Sequence, residues 1–396
     1  MNNHTIVKMG LDYVMNTYGR HDFALVRGQG SYVWDADGNK YLDMVAGIAV
    51  NNVGHCHPKV VDAITAQAGI FLHCSNLYWI EPQVKLAKML TEYSFADKVF
   101  FCNSGAEANE AAIKLARKRF HLKYGPGRAE IITALNSFHG RTLAALTATG
   151  QEKYQKGFEP LAPGFTYVPF NDLKALQEAV TPRTCAIMLE PLQGEGGVNV
   201  PDEGYFAGVR RLCDEHDLLL ILDEVQTGLG RTGKLFAYEH YGIKPDIMAL
   251  AKGLGGGVPI GACLAGGECA EIFKPGDHAA TFGGNPLATA AGLATLSVII
   301  DEKLSEQAAQ KGEYIKEKVA ALQEKYPVIS DIRGQGLLIG IALDTEAKAI
   351  QAKCQEKGML INCMQNNVLR LVPPLNISYE DLDKGIGIIA EALAEI

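Results

Sequence analysis

A series of short apolar runs, each ending in polar or glycine-rich sequence, constrains this chain more than any other feature. The runs cover residues 99–102, 131–134, 185–189, 218–222 and 247–250. None alternates with polar residues, so each reads as a strand buried on both faces. Stretches of helical periodicity lie between them, for example from residue 105 to about 120. Buried strands alternating with helices build a mostly parallel sheet, so an α/β fold is expected. Such sheets bind ligands at the carboxyl ends of their strands. The residues just after each run are therefore the first candidates for a site. They are Asn103-Ser104-Gly105-Ala106, Phe138-His139-Gly140-Arg141, Glu190, Asp223-Glu224 and Lys252-Gly253.

Either side of this region the pattern differs. Residues 32–35 and 40–43 flank Ala36-Asp37-Gly38-Asn39 and predict a hairpin. Helices are expected from 58 to about 72 and from 82 to about 93, each opened by a proline. A long helical pattern runs from Pro286 towards Tyr326. Strand-like pieces follow at 336–340 and 368–372, and a last helix from about 379 to 394. This divides the chain into an N-terminal segment (1–50) contributing to a small domain and dimer contacts, a large domain (51–285) and a smaller α+β domain (286–396).

Composition narrows the function. A chain of 396 residues can hold two domains, and a net charge of −8 argues against nucleic acid and against an anionic membrane surface. No apolar stretch approaches the roughly 20 residues that span a bilayer. Met1-Asn2-Asn3-His4-Thr5 lacks the basic and apolar blocks of a signal peptide. The nine cysteines contain no CxxC, and several sit inside apolar runs. Free buried thiols in a reducing compartment are expected, which makes the protein cytoplasmic. His55-Cys56-His57 has no fourth ligand at zinc spacing, so no metal is expected.

Lys252 closes an apolar strand and precedes Gly253-Leu254-Gly255-Gly256-Gly257. A lysine on the rim of a core is desolvated, which favours the neutral, nucleophilic amine and a Schiff base with a carbonyl. By itself it reads first as a lysine snorkelling to water. Asp223 ends a strongly apolar strand, either as a helix cap or as the partner of a buried cation. Ser104-Gly105-Ala106 joins a strand to a helix N-terminus, either as an ordinary cap or as an anion site. No GK[ST] follows, which excludes a P-loop, and the run after Lys252 does not match the dinucleotide fingerprint. Schiff-base lysine, phosphate site and an aspartate for a pyridinium are together what pyridoxal 5′-phosphate requires. Phe138 adds a ring to stack and Arg141 a carboxylate ligand. Thr281-Phe282-Gly283-Gly284-Asn285 offers a hydroxyl and free amides.

With these stretches in view the sequence resembles the class III, fold type I aminotransferases over nearly its whole length. The motifs that carry the resemblance are NTYGR, LDMVAGIAVNNVGHCHP, SNLYWIEPQ, NSGAEANEAAIKLAR, FHGRT, EPLQGEGGV, LDEVQTGLGRTG, AKGLGGGVPIGA, TFGGNPLA and LRLVPPL. The resemblance implies a large domain with a mostly parallel sheet and a smaller α+β domain. It implies that Lys252 holds the cofactor covalently and then moves the substrate proton. Asp223 would face the pyridinium, Gln226 the phenolic oxygen and Phe138 the ring face. Ser104, Gly105 and Ala106 would bind phosphate, joined by Thr281 from the other subunit of a homodimer. Arg141 and Tyr18 would bind substrate, with Arg370 taking the α-carboxylate of glutamate or 2-oxoglutarate. Glu195 would pair with Arg370 when an ω-amine donor is bound. Ala280 stands where many relatives carry Ser or Thr, so a side-chain hydroxyl is missing there. The implied reaction moves the δ-amino group of N-acetylornithine to 2-oxoglutarate. Ornithine, succinylornithine, succinyldiaminopimelate or 4-aminobutyrate are alternative donors, and a mutase of the same fold is the alternative chemistry.

Overall fold

The structure is a computed structural model and describes residues 1–395. Near the N-terminus β1 (Leu25–Gln29), β2 (Tyr32–Asp35) and β3 (Lys40–Asp43) form an antiparallel meander. The turn between β2 and β3 is the hairpin expected there. Asp35 holds it by accepting from the backbone amides of Asp37 and Asn39 and from the Asn39 side chain.

The centre is a seven-stranded sheet. Its strands are β4 (Lys98–Cys102), β5 (Glu130–Ala134), β6 (Phe165–Val168), β7 (Thr184–Leu189), β8 (Leu219–Asp223), β9 (Ile247–Leu250) and β10 (Gly261–Ala265). They lie in the order β4-β10-β9-β8-β7-β5-β6, and β10 alone runs against its neighbours. The sheet is thus mostly parallel. Alternation within the continuous apolar runs explains its two buried faces. Leu220 and Leu222 of β8 join one apolar cluster, together with Ile187 and Leu189 of β7. Leu219 and Ile221 join a second cluster, together with Ala186 and Met188. A fully buried Leu or Ile contributes about 1.5–3 kcal/mol, so these runs supply much of what holds the sheet between its helices.

The progress of the chain across the sheet reverses between β5 and β7. At such a switch point the loops beyond adjacent carboxyl ends diverge and leave a crevice. Because β10 is antiparallel to both β4 and β9, the carboxyl end of β4 lies on the same edge as those of β5, β7, β8 and β9.

The C-terminal part adds β11 (Ile329–Gln335), β12 (Leu338–Leu343), β13 (Met359–Leu360), β14 (Asn362–Met364) and β15 (Val368–Leu371). A second sheet has the order β11-β12-β15-β14, while β13 pairs in parallel with β3 of the N-terminal meander. The ends of the chain therefore share a sheet. Two expectations need correction. The long helical stretch is two helices, Pro286–Asp301 and Leu304–Lys325, broken at Lys303, whose φ is +51°. The first proline-led helix stops at Ala68 rather than near 72.

Candidate active site

The crevice at the switch point is a cavity of about 450 Å³, a size suited to a cofactor with a small substrate. Ser104, Gly105, Ala106, Phe138, Arg141, Glu195, Asp223, Gln226 and Lys252 all line it, joined by Asn109, His139 and Glu190. Residues spread over some 150 positions meet there because each follows a strand of one parallel sheet.

Lys252 follows β9 after one residue and is held at φ +35°. An L-residue rarely adopts that backbone, and such strain persists where the surroundings overdetermine it. Burial lowers the pKa of its amine below the ordinary lysine value, with Arg370 acting in the same direction and Glu195, Asp223 and Glu190 opposing. A neutral amine in the cavity is the state a nucleophile requires.

Asp223 ends β8 and is almost fully buried. Its Oδ2 accepts from Asn109 Nδ2 at 2.7 Å and pairs with His139 Nδ1 at 2.8 Å. Its Oδ1 accepts from the Val225 amide at 3.0 Å. The carboxylate fixes the imidazole proton on Nδ1. Asp223 is not a helix cap, because the next helical turn begins at Ala237. Asn109 also donates to the His139 carbonyl at 2.7 Å, and the His139 amide donates to Thr149 Oγ1 at 2.8 Å. This support leaves a buried anion at the cavity wall, suited to a cationic ring nitrogen.

Ser104 caps the helix Gly105–Tyr124, its hydroxyl accepting from the Glu107 amide at 3.2 Å. Capping and anion binding are compatible here, because first-turn amides have no partners within a helix. Gly140 lets the loop after β5 press on that turn. At φ +139°, a Cβ on it would stand 2.7 Å from Ala106 Cβ.

Glu190 follows β7 and its Oε2 accepts from the Phe138 amide at 3.1 Å. Burial, and then the negative charge of Asp223, push its pKa well above the usual carboxylate range. Arg141 is exposed. Its guanidinium lies 4.1 Å from the Tyr154 ring centre and 5.5 Å from that of Phe138, and the two rings meet edge to face.

Arg370, on β15, is 1 % exposed and does not itself line the cavity, but from the C-terminal sheet it touches Glu195 and Gln226, which do. Its Nη1 meets Glu195 Oε1 at 2.6 Å and Gln226 Oε1 at 3.2 Å, and Nη2 donates to Asn362 Oδ1 at 3.2 Å. Gln226 Nε2 also donates to Glu195 Oε1 at 3.0 Å. Burial would raise the Glu195 pKa, but Arg370 and then Lys252 outweigh it and hold the carboxyl down at about 2.

Besides Arg370, three named residues lie outside the cavity. Tyr18 is exposed and lines a second cavity of about 1010 Å³, which Asn362 also lines. Thr281 is exposed and outside the first cavity. Ala280 packs on the cluster of Cys102, Ala108 and Ala249, and its carbonyl accepts from Asn76 Nδ2 at 3.1 Å. His55 and His57 point apart, towards Asp43 and Glu302. Asn109, His139 and Glu190 were not singled out for roles by sequence. Glu190 carried the same signal as Asp223, a carboxylate at the end of an apolar strand.

Fold and site together define an aminotransferase. The class-III aminotransferase family model matches residues 13–393, and the chain belongs to that family. It is a pyridoxal-phosphate-dependent enzyme, and the site fits that group on its own geometry. The cavity offers a strained lysine, a buried aspartate with its other contacts satisfied, and a helix N-terminus under a glycine that admits no side chain.

Among relatives, the acetylornithine aminotransferase of Caldanaerobacter subterraneus subsp. tengcongensis is 60% identical over 385 residues, covering 97% of this chain and 98% of that one. Among solved structures, the acetylornithine aminotransferase of Elizabethkingia anophelis superposes with a TM-score of 0.90 at 36% identity and covers 100% of both chains. The ornithine aminotransferase of Toxoplasma gondii, described with partial occupancy of PLP at its active site, gives a TM-score of 0.95 at 35% identity. That match covers 99% of this chain and 94% of the other.

Proposed function

We propose that this chain transfers the δ-amino group of N2-acetyl-L-ornithine to 2-oxoglutarate, giving N-acetyl-L-glutamate 5-semialdehyde and L-glutamate. This is a step of arginine biosynthesis, placed in the cytoplasm. The observation that carries the reading is the closed Glu195–Arg370 pair, whose Glu195 lines the same cavity as Lys252, with Arg141 on that cavity free of any carboxylate partner among the described residues. One guanidinium is neutralised and the other is available. That asymmetry suits a donor with an amine at one end and a carboxylate at the other. The acetylated donor is preferred because identity is 60% to the Caldanaerobacter enzyme and 35% to the ornithine aminotransferase.

Pyridoxal phosphate, when bound, supplies an aldehyde that takes up the amino group and a ring that accepts electron density from the reacting carbon. The chain does the rest. Amides of Gly105 and Ala106, beside Ser104, would hold the phosphate with the helix dipole behind them, an effect worth up to about 2 kcal/mol. With the group bound, Asp223 would keep the ring nitrogen protonated, Phe138 would hold the ring by its face, and Gln226 would hold the phenolic oxygen. Lys252 Nζ takes the proton from the carbon bearing the amine and returns it on the other side of the transfer. Arg141 anchors the donor carboxylate, and Tyr18 is a further substrate-binding residue. Arg370 binds the α-carboxylate of glutamate once Glu195 swings away. Ala280 offers substrate no hydroxyl.

The working unit is a homodimer in which Thr281 completes the phosphate site of the other subunit. Its division is 1–50, 51–285 and 286–396, with the first segment serving the small domain and the dimer contact. The β3–β13 pairing supports joining the chain ends. The partners are small molecules. Among the described residues no helix is long and apolar enough to cross a membrane.

A donor panel tests the reading. Acetylornithine, ornithine, succinylornithine, succinyldiaminopimelate and 4-aminobutyrate are each offered with 2-oxoglutarate, and glutamate is measured. Acetylornithine should give the highest kcat/KM. A higher value for ornithine or 4-aminobutyrate would overturn the assignment of donor.

A further inference from the structure

The loop that carries Glu195 is gripped from the C-terminal sheet. Its base is closed within itself, where Gln193 and Asn199 exchange backbone hydrogen bonds of 3.0 Å in both directions. The Asn199 side chain donates to Gln193 Oε1 at 3.0 Å and to the Gly196 carbonyl at 3.2 Å. Gln193 ties the base to the central sheet, donating to the Leu135 carbonyl at 2.8 Å.

The rest of the loop turns its carbonyls the other way. Gly194 accepts from Arg370 at 3.3 Å and Glu195 from Gln365 Nε2 at 3.2 Å. Gly197 and Val198 both accept from Arg333, which stands on β11. Its Nε lies 3.0 Å from the Gly197 oxygen and 3.1 Å from that of Val198, and its Nη2 lies 2.8 Å from Gly197. Asp331 holds the guanidinium from behind at 2.9 Å.

The backbone shows that this grip is enforced. Val198 has φ +59°, a region costly for a β-branched residue, while its side chain packs against Leu192, Leu338 and Val372. A strained residue whose carbonyl is held by a guanidinium and whose side chain is locked in a core has one position. Glu195 stands three residues away and inherits that precision.

We infer that Arg333 is a positioning residue for Glu195, and so sets how readily the Glu195–Arg370 pair closes. Arg333 does not line the active cavity. Its effect therefore passes through the loop carbonyls to the carboxylate. The inference rests on the proposed role of the Glu195–Arg370 pair, closed for an ω-amine donor and open for glutamate. A loosened loop disfavours the closed arrangement, because closure needs Glu195 placed to within a fraction of an ångström of Arg370 Nη1. The open arrangement asks less of Glu195. Arg333 is thus a specificity-determining residue outside the cavity, biased towards the ω-amine half-reaction.

The test uses the holoenzyme and single-turnover rates of each half-reaction, with Glu195→Ala as reference. Arg333→Gln should slow the acetylornithine half-reaction by about tenfold and leave the glutamate half-reaction within about twofold, with cofactor absorbance unchanged. Arg333→Lys, which can still reach one carbonyl, should recover part of the loss. Gln365→Ala removes the neighbouring grip at an exposed position and should act in the same direction, more weakly. It carries the test if Arg333→Gln does not fold. Equal loss in both half-reactions, or no selective loss in either the Arg333 or Gln365 variant, would overturn the inference. If Glu195→Ala itself shows no selectivity between half-reactions, the role of the pair fails first. If Glu195→Ala is selective and the Arg333 variants are not, only the inference fails.

Discussion

At Asp223 three donors meet one carboxylate, and both oxygens are used. An amide cannot reproduce that. Whichever way a carboxamide turned at this position, its NH2 group would face either the Val225 amide or the Asn109 and His139 donors. Asp223→Asn should therefore weaken cofactor binding and nearly abolish turnover, since breaking a buried charge pair costs about 3–5 kcal/mol. Equilibrium titration with pyridoxal phosphate and a steady-state assay check it, and near-normal values for both would refute the role. Lys252→Ala should fold and bind cofactor without covalent attachment. Borohydride treatment followed by mass measurement should leave no adduct on the chain. Glu195 gives a prediction in pH. Its folded pKa of about 2 lies below the ordinary carboxyl value of 4.5, so its contribution to stability is present above about pH 4.5. That contribution is lost as pH falls through about 2. Cofactor-free Glu195→Gln should lose less stability than the parent chain between about pH 5 and pH 3 in urea titrations.

At the scale of elements, legibility followed burial. The strands of the central sheet were readable because a strand covered on both faces must be apolar throughout, and its polar successor is then conspicuous. Lys252, Asp223 and Glu190 all announce themselves in this way. Strand β11 did not. Ile329–Gln335 reads Ile-Ser-Asp-Ile-Arg-Gly-Gln, an edge strand with one face partly in water, and its apolar pattern is too thin to see. Arg333 was hidden with it. The break at Lys303 was also invisible, since its left-handed backbone is imposed by the packing of two helices rather than by a glycine. Asn109 lies inside a helix, where its neighbours give no sign that it faces a carboxylate 114 residues later. The Gly140 loop tests how finely these elements are fitted. Gly140→Ala would place a Cβ 2.7 Å from Ala106 Cβ, on a backbone at φ +139°. The phosphate-binding turn must then shift, so affinity for pyridoxal phosphate should fall by about tenfold or more, and the strained backbone should also lower the melting temperature of the cofactor-free chain. An unchanged affinity would show that the helix N-terminus is not the phosphate site.

For the whole molecule, the surface carries the argument for a second subunit. Leu77, Tyr78 and Trp79 are 82%, 71% and 92% exposed, and Phe282 is 61% exposed. These stretches adjoin, because His73 packs on Phe282 with ring centres 5.0 Å apart and Asn76 donates to the carbonyls of Ala280 and Gly283. A contiguous exposed apolar patch of this kind is the sort of surface that a partner subunit would cover. Thr281 sits within it and outside its own chain's cavity. In the proposed two-fold dimer the patch would meet its own copy, and each Thr281 would serve the opposite phosphate site. The consequence is complementation. Lys252→Ala lacks the lysine but keeps a sound Thr281, while Thr281→Arg keeps the lysine and spoils the partner's phosphate site. Each homodimer is inactive. In the mixed dimer one site has both sound contributions and the other has neither. Random reassortment makes about half the dimers mixed, each with one working site, so about a quarter of wild-type activity should return. Differently tagged chains allow the mixed species to be isolated and its activity measured against its mass. Verified mixed dimers that stay inactive would show that each chain builds its site alone, and a monomer in sedimentation would remove the shared site altogether.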